Sequence, residues 1–470
     1  MTMETYAKSL RQYEGATVRM VRGEDADYLA VTGRNPGFSG KEQSGELIAP
    51  LTHENAQLLR KIFPYTAPKA VLTSVRSVGV GDRLGIAAPG HIRVFEQYDA
   101  MPVLAQQSIR ELTLTGRTFG DVLDAATFGV FREGFEKGFG ADGDHLKTDA
   151  EVEYALGEGY TMITLDCSEQ IRNDINGMTT AEVEAAYQPD ALLESLYQGK
   201  TFQVEDQQVA FPVEVFQRTC LIYRAAIDHA EHIYKTHLHG KAVDFEISID
   251  ETMTPTTPAQ HYFVAAELIR RGVKVATVAP RFCGEFQKGI DYIGDLGQFE
   301  TEMAVHAAIA RHFGYKLSIH SGSDKFSVFP IIGRLTRGNF HVKTAGTNWL
   351  EAMRVVAMTD PTLYREVHAF ALTAFPEATK YYHVTTDLGK IPALDTLTDA
   401  ELPTLFEQND PRQLIHITYG LILQAKNADG SFRFKNRLYK LWRAQEAVYE
   451  DRLTKHIGHH LELLYRDIPK

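Results

Sequence analysis

Residues 243–278 read VDFEISIDETMTPTTPAQHYFVAAELIRRGVKVATV, in which a strand, a helix and a second strand follow one another. The first eight residues alternate apolar and polar side chains, which predicts a strand. Thr257 followed by Pro258 predicts a helix N-terminus, and Gly272 predicts its end. Two strands joined through a helix run parallel, because only a long crossover returns the chain to the same end of the sheet. The stretch therefore predicts one β/α unit.

The same alternation of strand and helix continues on both sides of this unit. Apolar strands are predicted at 160–166, 273–278, 315–320 and 340–343, with amphipathic helices between them. This alternation predicts an α/β protein whose catalytic core, residues 101–395, is a parallel (β/α)8 TIM-type barrel.

The two ends of the chain do not show this alternation of strand and helix. Residues 1–100 contain short strand-like runs, such as 91–96, and predict an N-terminal elaboration of the barrel. Residues 396–470 are mostly helical and charged, and they predict a helical C-terminal extension packed on the barrel or on a partner subunit.

Composition limits the classes of function. The chain has 470 residues and a net charge of −12, so it repels phosphate backbones and a nucleic-acid partner is not expected. The three cysteines are widely spaced without a CxxC, which predicts free thiols in a reducing compartment. No apolar run approaches the ~20 residues of a membrane span, and the polar start lacks a secretion signal. We therefore expect a cytoplasmic protein without a membrane partner. The composition does not decide whether the chain forms a homo-oligomer.

Polar side chains lie on one face and at the ends of the predicted strands. In VDFEISID, Phe245 and Ile247 share one face, while Glu246 and Asp250 share the other. Further along, His320 and His341 fall at or near strand ends. The carboxyl ends of barrel strands are where active sites assemble, because the βα loops converge there. A lone histidine in a strand is more often a hydrogen-bonded packing residue, so the argument rests on their joint placement.

The segment GADGDHLK, residues 140–147, adds a candidate catalytic loop with the adjacent pair Asp144 and His145. One residue of such a pair can ligate a metal while the other moves a proton. Neutral imidazoles suit Zn²⁺, Mn²⁺, Fe²⁺, Co²⁺ or Ni²⁺, and three of them leave positions open for substrate oxygens. The alternative for this segment alone is an ordinary Asx-rich turn.

Three cations lie at or beyond the ends of predicted strands and are candidates for binding an anionic substrate: Arg281, Lys325 and Lys343. The alternative for each is a solvated surface position. The segment GVGDRLG, residues 79–85, has the spacing GxGxxxG and no helix directly behind it, so we interpret it as a turn or substrate loop and not as a dinucleotide site.

Six blocks of this sequence resemble the tagaturonate epimerase family: GDRLGIAAPGH, GDHLKTD, FEISIDET, APRFCGEFQKGIDYIGDL, GYKLSIHSGSDKFS and HVKTAGTNWLEAM. The resemblance covers about residues 70–360 and implies interconversion of D-tagaturonate and D-fructuronate in hexuronate catabolism, with a divalent metal cation. It also implies functional residues. These are the metal ligands His145, His320 and His341, the proton acceptor Asp144, and a proton donor at either Asp250 or Glu251.

The chemistry of such an epimerisation favours carbon–carbon bond cleavage. The two sugar acids differ at a carbinol carbon two bonds from the ketone, where the carbonyl does not acidify the C–H bond. A retro-aldol step followed by re-addition inverts this centre, with Asp144 as base and Asp250 or Glu251 as acid. Transient oxidation by NAD would also invert it. The alternatives are a metal-dependent sugar isomerase or aldolase and, from another class, a non-catalytic carbohydrate-binding protein.

Overall fold

The computed structural model describes residues 3–469 and contains eight parallel strands that close into a barrel. The strands are β1 (Arg76–Gly79), β2 (Met101–Ser108), β3 (Gly140–Leu146), β4 (Met162–Asp166), β5 (Asp244–Ile249), β6 (Thr277–Pro280), β7 (Lys316–Ile319) and β8 (Phe340–Lys343). Each strand pairs with the next along the chain, and β8 pairs with β1. The predicted parallel barrel is confirmed.

Helices surround the barrel and form the C-terminal part of the chain. The α-helices are α1 (His53–Ile62), α2 (Ala88–Gln97), α3 (Ile109–Thr115), α4 (Phe119–Glu133), α5 (Asp149–Gly157), α6 (Thr180–Ala186), α7 (Ala191–Tyr197), α8 (Val213–Ile233), α9 (Pro258–Arg270), α10 (Leu296–Phe313), α11 (Phe329–Leu335), α12 (Thr347–Thr359), α13 (Pro361–Ala378), α14 (Asn409–Ile417), α15 (Tyr419–Gln424), α16 (Lys435–Ala444) and α17 (Glu446–Tyr465). Short 3-10 turns cover Ala7–Ser9, Pro64–Thr66, Asn173–Gly177, Leu388–Lys390, Leu394–Thr396 and Leu402–Glu407, and a π turn covers Tyr234–Leu238.

The ends of α9 follow the local signals in its sequence. Thr257 caps the helix: its hydroxyl accepts from the backbone N–H of Gln260, whose side chain in turn accepts from the backbone N–H of Thr257. Pro258 occupies the first turn, where its missing N–H has no partner to lose. Gly272 follows the helix with φ of +80°, a left-handed conformation that a side chain would strain. Substituting an N-cap residue such as Thr257 by alanine lowers the free energy of unfolding by about 0.5–2 kcal/mol.

The N-terminal elaboration is an antiparallel sheet that packs on α1 and α4. Its strands are Glu4–Thr5, Arg11–Tyr13, Ala16–Arg22, Asp27–Gly33, Lys41–Gln43 and Glu46–Pro50. The barrel begins at β1, inside the segment 1–100 that the sequence assigned to the elaboration. The predicted strand at 91–96 is instead part of α2. A run of only six residues is too short for its periodicity to distinguish a strand from a buried helix turn, and the preceding Pro89 is accommodated in the first turn of that helix.

Residues 140–146 of the segment 140–147 form a barrel strand, β3, and not the loop that the glycines and aspartates suggested. Glycine and aspartate have low strand propensity, but tertiary context overrides propensity in a central strand. Here β2 and β4 flank the segment on both sides, and its aspartates find partners in the barrel interior.

The C-terminal extension packs on the barrel. Trp442 of α16 donates its indole N–H to the carbonyl oxygen of Ala352 on α12 at 2.9 Å, and Trp349 donates to that of Ile415 on α14 at 2.7 Å. All four residues are essentially buried in one apolar cluster. This packing fixes α14 beside the βα loops of the barrel.

Among residues 3–469 we find no helix with the length and hydropathy required to cross a membrane. The three cysteines, Cys167, Cys220 and Cys283, are buried and unpaired. Burial raises the pKa of Cys220 to about 12, so this thiol stays protonated and unreactive near neutral pH.

Candidate active site

Glu246 on β5 projects into the barrel interior, as strand alternation predicted. It is fully buried, and hydroxyl groups of Thr164 and Thr277 donate to its carboxylate at 3.2 and 2.6 Å. His320 donates through Nε2 to Oε1 of the same carboxylate at 2.7 Å. Phe245 lies on the opposite face in the apolar core under the helices. The polar face of β5 is therefore satisfied by other barrel strands.

Lys343, at the end of β8, lies between three of these interior carboxylates. Its Nζ is 2.7 Å from Oδ2 of Asp142, 2.7 Å from Oδ1 of Asp144 and 2.9 Å from Oε1 of Glu246. Burial disfavours the charged ammonium, but the three carboxylates outweigh it and hold the pKa of Lys343 well above its usual range. Lys343 is therefore a permanent cation whose charge is shared among carboxylates inside the barrel.

His145 adopts a left-handed backbone conformation that brings it to the same side as Asp144. Its φ is +56°, and the pairing of β3 with β4 shifts register at this point. In a regular strand the two neighbours would face opposite ways. The distortion costs roughly 1–2 kcal/mol for a non-glycine residue, and it lets His145 donate through Nδ1 to Oδ1 of Asp144 at 2.8 Å.

His320 and His341 each have one ring nitrogen held by a partner and the other left free. Nε2 of His320 binds Glu246, and Nδ1 of His341 is 3.0 Å from the hydroxyl of Ser77. Within residues 3–469, Nδ1 of His320 and Nε2 of His341 have no hydrogen-bond partner. His145 uses Nδ1 in the same way. A nitrogen held by an outer partner while the other stays available is the arrangement of metal-binding histidines.

Three donors converge at one point of this site. Ligand atoms of His145, Asp250 and His320 all lie within 4.8 Å of one another, and the two imidazole rings are 4.8 Å apart between centroids. His341, on β8, lies outside this set, and its Nε2 makes no hydrogen bond within residues 3–469. Two imidazoles and a carboxylate, with a third free imidazole nitrogen, are chemically suited to a divalent first-row cation.

Electrostatics couple His320 to Asp250. Oδ1 of Asp250 is 3.1 Å from Nδ1 of His320, but the direction is not that of a hydrogen bond, so this contact is an ion pair only. Burial opposes protonation of the imidazole, yet Asp250 and Glu246 outweigh it and raise the pKa of His320 to about 10. The pKa of Asp250 lies below its usual range, because the imidazole beside it outweighs the effect of burial.

Two adjacent cavities are lined by these residues. The inner cavity has a volume of about 70 Å³ and is lined by Asp144, His145 and Lys343 among others. The outer cavity has a volume of about 410 Å³. Both are lined by Asp250, Glu251, Lys288, His320 and Ser321. The two cavities therefore adjoin along these residues, and His320 lies at their boundary.

The inner cavity carries several polar groups with unused hydrogen-bonding capacity. Both side-chain amide atoms of Gln106, both ring nitrogens of His416 and Nη1 of Arg83 have no partner in the described part of the chain. Gly346 makes room for one of them, since a Cβ there would lie 2.0 Å from Cε1 of His416. Buried polar groups are normally hydrogen-bonded, so this lining suits a ligand rich in oxygen atoms.

The three cations named from the sequence have different surroundings. Lys325 is fully buried and donates to the backbone carbonyl oxygens of Gln287, Ile290 and Ser323 at 2.8, 2.6 and 3.0 Å. Arg281 lines the outer cavity. Lys343 belongs to the carboxylate network in the barrel.

Several residues of the site escaped the sequence analysis. Glu246 was placed on the correct strand face, but no signal marked it as a partner of His320. Arg83 lies in the GVGDRLG segment, whose spacing gave no indication of which side chain faces the cavity. His416 comes from α14, in the part of the chain whose sequence pattern indicated only helices.

A second group of histidines and a carboxylate, formed by Asp324, His456 and His460, has a structural arrangement. Nε2 of His460 accepts from the backbone N–H of Asp324 at 3.0 Å, and its Nδ1 donates to the carbonyl oxygen of His456 at 2.8 Å, so neither nitrogen is available to a metal. Oδ1 of Asp324 binds His456, and Oδ2 binds Arg412 at 2.6 Å. The group ties α14 and α17 to the loop after β7.

Asp324→Asn is expected to lower the free energy of unfolding by about 3–5 kcal/mol at pH 7, because the buried Arg412 loses its counter-charge. Burial opposes ionisation of Asp324, but Arg412 and His456 hold its pKa well below the usual value. Its contribution is therefore present above pH ~4, the ordinary pKa of aspartate, and is lost as the pH falls further. Urea unfolding of both proteins from pH 3 to 7 measures this; a difference independent of pH would contradict it.

The fold and the site together define a TIM-barrel enzyme for a small polar substrate, with histidines, carboxylates and a lysine at the carboxyl ends of the strands. The sequence profile of the family described as tagaturonate epimerase matches residues 6–464. The tagaturonate/fructuronate epimerase of Thermotoga maritima is 43% identical over 474 aligned residues, covering 98% of this chain and 97% of that protein. The chain belongs to the tagaturonate epimerase family and is an epimerase, an enzyme of the isomerase class.

Solved structures agree with this assignment. The crystal structure of fructuronate-tagaturonate epimerase UxaE from Cohnella laeviribosi, in native form and with one glycerol, superposes with a TM-score of 0.97 at 51% identity. The match covers 98% of this chain and 96% of that one.

Proposed function

We propose that this enzyme interconverts D-tagaturonate and D-fructuronate in hexuronate catabolism, using a divalent cation held by His145, His320 and His341, with Asp250 beside them. The names of the relatives support the substrate pair. The observation that carries the proposal is that each histidine has one ring nitrogen fixed by a partner while the other makes no hydrogen bond within the described residues, and that His145 and His320 line a cavity of unused polar groups. Such a cation would supply Lewis-acid polarisation of the ketone.

Inversion of the carbinol carbon requires a bond cleavage that the ketone can support. Removing the proton from its hydroxyl turns the C–O bond into a carbonyl, and the adjacent carbon–carbon bond breaks toward the ketone. An enediolate and a three-carbon aldehyde acid result. Rotation of the aldehyde exposes its other face, re-addition restores the bond, and a proton is delivered to the new alkoxide. One proton is taken up and one is released, so the overall reaction is balanced.

Asp144 is suited to accept the hydroxyl proton. Its contacts with Lys343 and His145 both use Oδ1, which leaves Oδ2 available on the wall of the inner cavity. Burial alone would favour the neutral acid, but Lys343 and His145 hold the pKa of Asp144 well below its usual range. The carboxylate is therefore ionised near neutral pH and ready to act as a base.

Glu251 is the better candidate for the proton donor. Asp250 belongs to the converging donor set, and its lowered pKa keeps it ionised. Glu251 lines both cavities and is exposed, so it can reach the substrate without being part of that set.

Glu251→Gln is expected to lower turnover by about 10²-fold while the bound metal is kept, because only a proton-transfer group is removed. Asp250→Asn is the matched comparison, with the same change of charge one residue away. It is expected to weaken metal affinity by at least about 10-fold, as for carboxylates that support metal ligands. Steady-state kinetics and metal titration of both variants measure this. The reverse pattern would assign the donor to Asp250.

Proton NMR of tagaturonate incubated with the metal-loaded enzyme in D₂O tests the reaction itself. We expect fructuronate to form without deuterium at the inverted carbon, because its C–H bond is never broken. Deuterium at that carbon would overturn the cleavage pathway, and no fructuronate at all would overturn the substrate assignment.

We also propose that the enzyme works in the cytoplasm. Three buried free thiols support a reducing compartment, because such cysteines persist unpaired there. Cell fractionation with an antibody against the protein tests this.

A further inference from the structure

The loop that follows β1 is held in a fixed conformation by Asp82. Its Oδ1 accepts from the backbone N–H groups of Leu84 and Gly85 at 3.0 and 2.8 Å, and its Oδ2 accepts from that of Ala87 at 2.7 Å. A carboxylate that accepts three backbone N–H groups leaves the loop little freedom. Arg83 is therefore presented to the inner cavity from a rigid turn.

The guanidinium of Arg83 is immobilised but incompletely used. Nε and Nη2 are 2.9 and 2.8 Å from Oε1 of Glu111, and the guanidinium carbon lies 3.9 Å above the ring centroid of Tyr419. The residue is 2% exposed, and Nη1 has no partner within residues 3–469. A buried donor left unpaired costs about 1–3 kcal/mol. The position therefore calls for an acceptor oxygen in the cavity.

Lys288 supplies a second cation to the same cavity. Its Nζ donates to the hydroxyl of Ser321 at 3.0 Å, and within residues 3–469 it forms no ion pair with a carboxylate. Lys343 and Lys325, by contrast, are committed to carboxylates and to backbone carbonyls. The unpaired ammonium and the free guanidinium nitrogen give one wall of the inner cavity the chemistry of an anion site.

We infer that Arg83 and Lys288 form a subsite that binds the carboxylate of the sugar acid, an inference that rests on the proposed function. In a hexuronate the carboxylate is two bonds from the inverted carbon, so its subsite must adjoin the proton-transfer groups. Asp144 and Glu251 line the same inner cavity. After cleavage the carboxylate belongs to the aldehyde fragment. Binding of the carboxylate keeps that fragment in the site while its aldehyde group rotates to expose the other face.

Equilibrium binding tests this subsite independently of catalysis. Isothermal titration calorimetry with D-galactonate, which has the carboxylate but no ketone, is compared with galactitol, which has neither. Lys288→Met and the double variant Arg83→Gln/Glu111→Gln, which neutralises the buried pair together, are expected to weaken galactonate binding about 10–100-fold. Galactitol binding is expected to be unchanged. Arg110→Gln, which removes a cation from the outer cavity alone, is the matched control.

Kinetics provide a second readout. In both variants KM for tagaturonate is expected to rise by the same factor while kcat falls less, and free three-carbon aldehyde acid is expected to accumulate. Equal losses for galactonate and galactitol would overturn the subsite in favour of a structural role. A loss of galactonate binding confined to the control Arg110→Gln would place the carboxylate in the outer cavity and overturn the subsite as well. If the unaltered enzyme bound galactonate but formed no fructuronate, the proposed reaction would fail while the subsite stood.

Discussion

Asp144→Asn is expected to lower turnover by about 10²–10⁴-fold while the protein keeps its divalent cation. Asparagine retains an oxygen that accepts from Lys343 and His145, so the two contacts of Oδ1 survive. Only the ionised oxygen on the cavity side is replaced, by an amide that cannot accept a proton. Lys343 also keeps Asp142 and Glu246 as counter-charges, so the fold is expected to tolerate the change.

Asp142→Asn is the matched control for this experiment. Asp142 lies 2.7 Å from the same Lys343 nitrogen but does not line the inner cavity, so its substitution changes the same charge network without removing a base. Turnover by NMR and metal content by mass spectrometry are measured for both variants. If metal were lost in step with turnover, Asp144 would only orient His145. If turnover were unchanged, the base would have to lie on another strand.

Removal of the cation is expected to abolish turnover, and His145→Ala is expected to lose both metal and activity. Removing a residue that only hydrogen-bonds to a metal ligand lowers metal affinity by about 10–100-fold. Removing a ligand itself is expected to lower metal affinity by more than this. Dialysis of the unaltered enzyme against a chelator, followed by addition of Mn²⁺ or Zn²⁺, is expected to remove and restore turnover. The same addition is expected to leave His145→Ala inactive at stoichiometric metal.

His459→Ala, an exposed position on α17, is the control for histidine removal. Full turnover by metal-free enzyme would overturn the ligand assignment.

His341→Ala tests whether His341 is a metal ligand, because this residue lies outside the set formed by His145, Asp250 and His320. Loss of metal in that variant would add its free Nε2 to the ligands, and retention would remove it.

The barrel was predictable because its signals are local. Alternation in VDFEISID predicted which side chains of β5 face inward, and Glu246 lies in the interior as that alternation required. The helix signals at Thr257 and Gly272 were also correct. Each of these depends on the chemistry of neighbouring residues, and contiguous sequence carries that information.

Two predictions from local sequence were wrong, one because the segment is short and one because tertiary context outweighs local propensity. The run at 91–96 forms part of α2, and six residues are too few for periodicity to distinguish a helix from a strand. Residues 140–146 of the predicted loop form β3, because burial between two strands outweighs the low propensity of glycine and aspartate.

The sequence by itself determined the parallel barrel, the polar inner face of β5 and the positions of His320 and His341 along their strands. Only the tertiary structure decided which donors converge, since that depends on barrel closure and on the left-handed conformation that turns His145 toward Asp144. It also decided that Arg83 and His416 line one cavity, although more than 300 residues separate them. Periodicity arises from neighbouring residues, whereas a site arises from the packing of distant ones, and single-sequence patterns do not record such packing.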